Sequence, residues 1–216
     1  MGSGKLWPDP EPDTYFLERN LQQKGYHWIA GLDEVGRGPL AGPVVAACVI
    51  LNENCNYLGF VDSKTIDAEC RARLYMELQD TGAEIGVGII SEADIDRMNI
   101  LQASLLAMNK AIEVLAVKPD FLLVDGNQRL PTPIPQQTLI KGESKSASIA
   151  AASIVAKVVR DELMEQYHLQ FPEYNFKQNK GYGTLEHRLA IRTHGPCSIH
   201  RQTFKCVKEF ITEDKG

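Results

Sequence analysis

Two adjacent carboxylates, Asp33 and Glu34, close an apolar run, and the glycine-rich turn Gly36-Arg37-Gly38 follows at once. Neighbouring residues on a strand point to opposite faces, so one of the pair should face a site while the other sits beside or behind it. Two anionic side chains this close repel each other unless protons, cations or hydrogen bonds hold them. Asp125 and Glu143 stand in similar settings: Asp125 ends the apolar run Phe121-Leu122-Leu123-Val124 and precedes Gly126, and Glu143 follows Gly142. A lone carboxylate beside an apolar strand is usually a turn former or helix cap. Four together weaken that reading, because the coincidence must recur. Asp and Glu without His or Cys partners prefer hard, oxygen-loving cations, Mg²⁺ or Mn²⁺. Two such ions about 3.5–4 Å apart can activate a water and stabilise a leaving oxygen in phosphodiester cleavage.

Other residues suggest what such a site would hold. Glycines let a backbone approach a ligand closely, and Arg37 could grip a phosphate. A bare G-x-G is otherwise a simple tight turn. Lys64, after Asp62-Ser63, is a second candidate phosphate contact, although surface lysines are usually unspecific. Tyr182 lies between Gly181 and Gly183. An aromatic on such a loop can stack on a sugar or base, or else plug the loop into the core. Ser146, Ser153 and Lys157 share one helix face by spacing, but no oxyanion motif supports a serine nucleophile. The histidines lack ligand spacing, and His194-Gly195 reads as a helix end.

These residues need elements to hold them. Apolar runs between turn residues predict strands over 27–33, 42–51, 58–61, 121–124 and 137–140, and alternation of Ile85, Val87 and Ile89 predicts one over 83–90. The early ones have short links, which implies antiparallel hairpins. Helical spacing covers 14–24, 67–79, 99–117, 146–167, 185–193 and 202–211, with Ser91 and Asp94 forming a weak capping box. The helix from 146 opens on small residues, which let it approach a sheet closely. A strand meander followed by helix–strand alternation predicts an α/β fold with a sheet of mixed direction. The apolar run 121–124 suits a strand covered on both faces, and Asp125 then sits at its carboxyl end, where open α/β sheets place their sites.

Composition sets the frame. With 216 residues, 44% of them hydrophobic, the chain can bury a proper core. It has no run of about 18 apolar residues and no signal-like start, so a cytoplasmic protein without a membrane span is expected, with a monomer as the default. Five widely spaced cysteines without a C-x-x-C pair argue against a disulfide frame or a zinc site. The net charge of −5 argues at first against a nucleic-acid partner. Residues 1–140 carry 11 Lys and Arg against 19 Asp and Glu, whereas 174–208 carry seven against Glu186 alone, a net of +6. A local basic face matters more to a phosphate backbone than the global sum, and a solvated helical surface is the plainer reading of the same charges.

The run from Gly31 to Val45, with Asp33-Glu34-Val35-Gly36-Arg37-Gly38 at its centre, closely resembles the signature of bacterial ribonuclease HII, a type 2 ribonuclease H family. So do Asp62-Ser63-Lys64, the helix beginning at Asn99, Val124-Asp125-Gly126-Asn127, the stretch from Ile149 to Lys157, and His200-Arg201 with Thr203-Phe204. The resemblance implies an RNase H-like fold: a mixed five-stranded sheet flanked by helices, with a small C-terminal helical extension. It implies a partly helical extension over 1–26, a catalytic domain over 27–170 and a substrate-binding extension over 171–216. It implies a metal-dependent endonuclease acting on RNA/DNA hybrids and 5′ to single ribonucleotides in DNA duplexes, leaving 3′-hydroxyl and 5′-phosphate ends. The positions matching Asp33, Glu34 and Asp125 are its metal ligands. Those matching Gly36, Arg37 and Gly38 contact the ribose 2′-hydroxyl and adjacent phosphate, and that matching Tyr182 packs on the sugar at the RNA–DNA junction.

Where the family pattern has aspartate, this chain has Glu143, eighteen residues after Asp125. Its retained charge suggests continued support of a second metal with an altered preference, favouring Mn²⁺. Two other readings compete with the nuclease: a hybrid-binding protein whose chemistry Glu143 attenuates, and a metal-free acid/base hydrolase whose activity would survive EDTA.

Overall fold

The computed structural model describes residues 13–52, 55, 60 and 66–211. The expected strand over 58–61 falls largely outside these residues, and the expected phosphate contact at Lys64 falls wholly outside them. Three strands, β1 (Ile29–Val35), β2 (Val44–Ile50) and β3 (Glu84–Ile90), form the antiparallel meander. β4 (Phe121–Asp125) pairs parallel to β1, and β5 (Gln136–Leu139) parallel to β4. The sheet order is β3-β2-β1-β4-β5, the mixed five-stranded arrangement expected.

The helices are α1 (Phe16–Gln23), α2 (Ala68–Asp80), α3 (Glu92–Met98), α4 (Ile100–Glu113), α5 (Ala147–Gln170), α6 (Phe176–Asn179), α7 (Leu185–His194) and α8 (Lys208–Ile211). Alternation along β2 decides which helix covers which face. Val44, Ala46, Cys48 and Ile50 pack with α4, and Val45, Ala47 and Val49 pack with α2 and α5. The small residues at the start of α5 act as expected: a Cβ built on Gly31 of β1 would lie 2.1 Å from the Ser148 carbonyl carbon. The helix backbone therefore rests directly on the strand that carries Asp33.

Ser91 caps α3 by accepting from the Asp94 N–H, as its spacing predicts. Asn99, Ser146 and Thr184 cap α4, α5 and α7 in the same way. Glu18 of α1 reinforces the start of α5, accepting from the Ser146 hydroxyl at 2.6 Å and the Ser148 N–H at 3.0 Å.

Two predicted helices are too long. The helix predicted over 99–117 ends at Glu113, because Leu115 turns into the core and Lys118 Nζ donates to the freed carbonyls of Glu113 and Leu115. The helix predicted over 202–211 is only α8. Asp96 holds the Gln202 and Thr203 amides, and Cys206 adopts φ +71, which no right-handed helix accommodates. The C-terminal segment shares its apolar cluster with the rest of the chain: Tyr174, Phe176, Ile191 and Val207 pack with Leu40, Ala41 and Met164.

Candidate active site

The parallel pairing of β1 with β4 brings two of the carboxylates together. Leu32 lies beside Val124, so Asp33 and Asp125 follow one another off the carboxyl ends of adjacent strands. Asp33 is buried and faces α5, where the Ser153 hydroxyl hydrogen-bonds its carboxyl. Glu34 takes the other face and lines a cleft of about 80 Å³ with Asp125, Asn127 and the α4 residues Leu101, Ser104, Leu105 and Met108. The strand has separated the adjacent pair as its period of two requires.

Glu143 joins from the 3₁₀ turn Gly142–Ser144. The Gly142 N–H donates to Asp125 Oδ1 at 2.7 Å, and Ser153 Oγ donates to Glu143 Oε2 at 3.3 Å. Ser153 therefore reaches both Asp33 and Glu143. The four carboxylates named from the sequence lie at the same end of the sheet.

Electrostatics there favour a cation. Burial first, then the Glu34 carboxylate, push the Asp33 carboxyl well above the usual range, with Asp125 adding to the rise and Ser153 opposing it. Burial raises Glu34 too, opposed by Arg37, whose Nη1 lies 3.1 Å from Glu34 Oε1. Among the described residues, no three His, Cys, Asp or Glu side chains yet stand close enough to share an ion. Asp33 Oδ1 accepts from the Glu34 N–H, Asp125 from the Gly142 N–H and Glu34 from Arg37.

The glycine turn stands beside this cluster. Gly36 is buried at φ +95, whereas Arg37 and Gly38 are exposed. Tyr182, 44% exposed, approaches Gly38: a Cβ built there would lie 3.8 Å from Tyr182 Cε1. The tyrosine is thus a surface group and not a core plug.

The basic span is a smaller face than its composition suggests. Arg201 is fully buried and donates to the carbonyls of Gly36, Arg37 and Gly42, and Lys180 pairs with Glu165 at 2.8 Å. Lys177, Arg188, Arg192, Lys205 and Lys208 remain exposed.

The ribonuclease HII family model matches residues 30–207. The chain belongs to the ribonuclease HII family. It is 55% identical to a ribonuclease HII of Desulfotalea psychrophila over 94% of this chain and 93% of that one. It is 48% identical to the ribonuclease HII of Syntrophotalea carbinolica over 96% of this chain and 99% of the relative. Among solved structures, the ribonuclease H2 of Pyrococcus horikoshii matches with a TM-score of 0.73 at 25% identity, covering 88% of this chain and all of that one. The fold is accordingly RNase H-like, and the protein is a metal-dependent ribonuclease H. As a ribonuclease HII it needs a divalent ion, and an all-carboxylate donor set suits a hard one.

Sequence reasoning gave four residues no role at this site. Ser153 figured only as a rejected nucleophile. Ser104, buried with a hydroxyl that has no hydrogen-bond partner among the described residues, lines the cleft beside Glu34. Arg160 and Arg201 hold the glycine turn from beneath. The signal for Arg160 was its place seven residues after Ser153 on the face of α5 turned to the sheet.

Proposed function

We propose that this ribonuclease HII cuts the RNA strand of RNA/DNA hybrids and cleaves 5′ to a single ribonucleotide in duplex DNA, leaving 3′-hydroxyl and 5′-phosphate ends. The observation that carries this reading is the placement of Asp33, Glu34 and Asp125 at one end of the sheet, beside the exposed Arg37, Gly38 and Tyr182. Asp33, Glu34, Asp125 and Glu143 would hold two divalent ions, Mn²⁺ or Mg²⁺. When bound, such ions supply Lewis acidity and a nucleophile at neutral pH.

The chain's own residues do the rest. Arg37 offers a charged fork to a phosphate, and Glu34 holds it in place. The turn 36–38 reads the 2′-hydroxyl, the group that separates RNA from DNA at one position. Tyr182 packs on the adjoining sugar, and Lys64 adds a phosphate contact. Ser153 keeps Asp33 and Glu143 oriented. Exposed Arg188 and Arg192 of α7 attract the duplex.

The test is incubation with a DNA duplex bearing one ribonucleotide in Mn²⁺, Mg²⁺ or EDTA. Cleavage 5′ to the ribonucleotide is expected with metal and none with EDTA. Absence of cleavage in either metal, at a concentration that binds the duplex, would leave a binding protein attenuated through Glu143. Cleavage surviving EDTA would leave the metal-free hydrolase.

A further inference from the structure

Two fully buried arginines lie beneath the glycine turn, and among the described residues neither pairs with a carboxylate. Arg201 Nη2 donates to the carbonyls of Gly36 at 2.5 Å and Gly42 at 2.8 Å. Its Nη1 donates to Arg37 at 3.0 Å, and its Nε to Gly42 at 3.0 Å. Arg160 Nε donates to Pro43 at 3.0 Å, Nη2 to Ala41 at 3.3 Å and Nη1 to Lys180 at 2.9 Å. One guanidinium therefore joins the two ends of the turn. The other joins the turn to the loop that carries Tyr182, with its Cζ 6.0 Å from the Tyr182 ring centroid.

Burying two cations with no carboxylate in contact is expensive even with Asp96 and Glu92 acting on Arg201 and Asp161 on Arg160 from further off, and an apolar filling would generally be the more stable choice. Each guanidinium is pulled below its ordinary basicity by burial, and Arg201 further by Arg160. Stability alone therefore gives no reason for the pair. The direction of the carbonyls does. No peptide among the described residues is cis, so each C=O points opposite to the N–H of the next residue. With the Gly36 and Arg37 carbonyls drawn inward to Arg201, the Arg37 and Gly38 N–H groups face outward, on the two residues of the turn that are exposed. Two successive outward amides form a receptor for an oxygen acceptor. Arginine suits this task because its fixed fork of five donors can span several carbonyls, which an ammonium cannot.

We propose that Arg160 and Arg201 are positioning residues for ribose recognition, holding the 36–43 turn with its amides outward and locked against the Tyr182 loop. Selectivity for a ribonucleotide then depends on two groups that touch no substrate atom. The inference rests on the turn being the reader of the 2′-hydroxyl.

The test measures binding, in EDTA, to a DNA duplex with one ribonucleotide and to the all-DNA duplex of the same sequence. The parent should prefer the ribonucleotide. Arg201→Lys and Arg160→Lys lose the fork, and each should cut that preference about tenfold, the equivalent of one good hydrogen bond, because binding to the ribonucleotide duplex falls by more than binding to the all-DNA duplex. Asp96→Ala, at the surface, releases the Gln202 and Thr203 amides next to Arg201 and should lower the same ratio even if neither lysine variant folds. A folded variant of either arginine with the parent's ratio would overturn the inference, as would a parental ratio in Asp96→Ala when the lysine variants do not fold. A parent with no preference would instead sink the reading of the turn, and the inference with it.

Discussion

His187 Nε2 lies 3.0 Å from His200 Nε2, and both rings are buried. The Cys197 N–H donates to His200 Nδ1 at 2.9 Å, which leaves the His200 proton on Nε2. That proton points at His187 Nε2, so His187 carries its own on Nδ1 and donates it to the Tyr182 carbonyl at 2.9 Å. One arrangement of two neutral rings satisfies the whole chain, and a third proton would set two N–H groups face to face. Burial first, then His187, push His200 from 6.5 down to about 4, and burial lowers His187 as well.

The unfolded chain therefore binds protons that the folded chain refuses. Stability present above pH 6.5 is lost as the pH falls towards about 4, by up to ~3 kcal/mol for His200. The raised Asp33 has the opposite sign, gaining stability as the pH falls, so the comparison must be between variants. Urea unfolding at pH 7 and 4.5 should show a smaller acid loss in His200→Asn than in the parent. Equal losses would remove the histidine chain as the cause.

The contact of Gly31 with Ser148 leaves no space for a side chain. In Gly31→Ala the new Cβ meets helix backbone, not a flexible tip, so β1 and α5 must separate. Overpacking of this kind destabilises by about 1–3 kcal/mol or more. Because Asp33 lies two residues on and Ser153 five residues along α5, the variant should also lose nuclease activity at temperatures where it remains folded. Urea unfolding beside a cleavage assay checks both.

Much of this frame was legible in the sequence. The unbroken apolar run 44–50 reads as a covered strand, Ile85, Val87 and Ile89 alternate in 84–90, and Asp125 ends an apolar run. The histidine chain and the arginine pair were not legible, for one physical reason. His187, His200 and Arg201 stand among exposed Lys and Arg, where composition reads as a solvated basic surface. His200 and Arg201 are buried where Leu40, Ala41 and the 36–43 turn, about 160 residues earlier, meet them, and His187 is buried against Tyr174, Phe176 and His200. No local period encodes a contact of that range. The overrun at 114–117 has a local cause: apolar residues continue helical spacing there, but Leu115 gains more from the core than from another helical turn.

Tyr182 is held by its backbone and not by its ring. Its carbonyl accepts from His187 and its N–H donates to the Asn179 carbonyl, so the side chain can be changed while the loop stays in place. Removing one stacking platform costs about 1–3 kcal/mol. Tyr182→Ala should therefore raise KM for a single-ribonucleotide duplex about tenfold with a smaller change in kcat, and Tyr182→Phe should restore it. A parental KM in the alanine variant would remove the stacking role.

Glu143 reaches the carboxylate cluster from a turn anchored at both ends: Gly142 to Asp125, and the Glu143 side chain to Ser153. The Gly142 N–H bond to Asp125 Oδ1 at 2.7 Å opposes any advance of the turn to make up a shorter side chain. Glu143→Asp therefore withdraws the carboxylate by one methylene, and a displacement on the order of 1 Å can change a rate about a hundredfold. Mg²⁺ demands stricter geometry than larger ions, so the Mn²⁺-to-Mg²⁺ ratio of single-turnover rates should shift between parent and variant. Glu143→Gln, which keeps the length and removes the charge, should lose activity in both metals. Equal rates of parent and Glu143→Asp in each metal would mean that this carboxylate supports no ion.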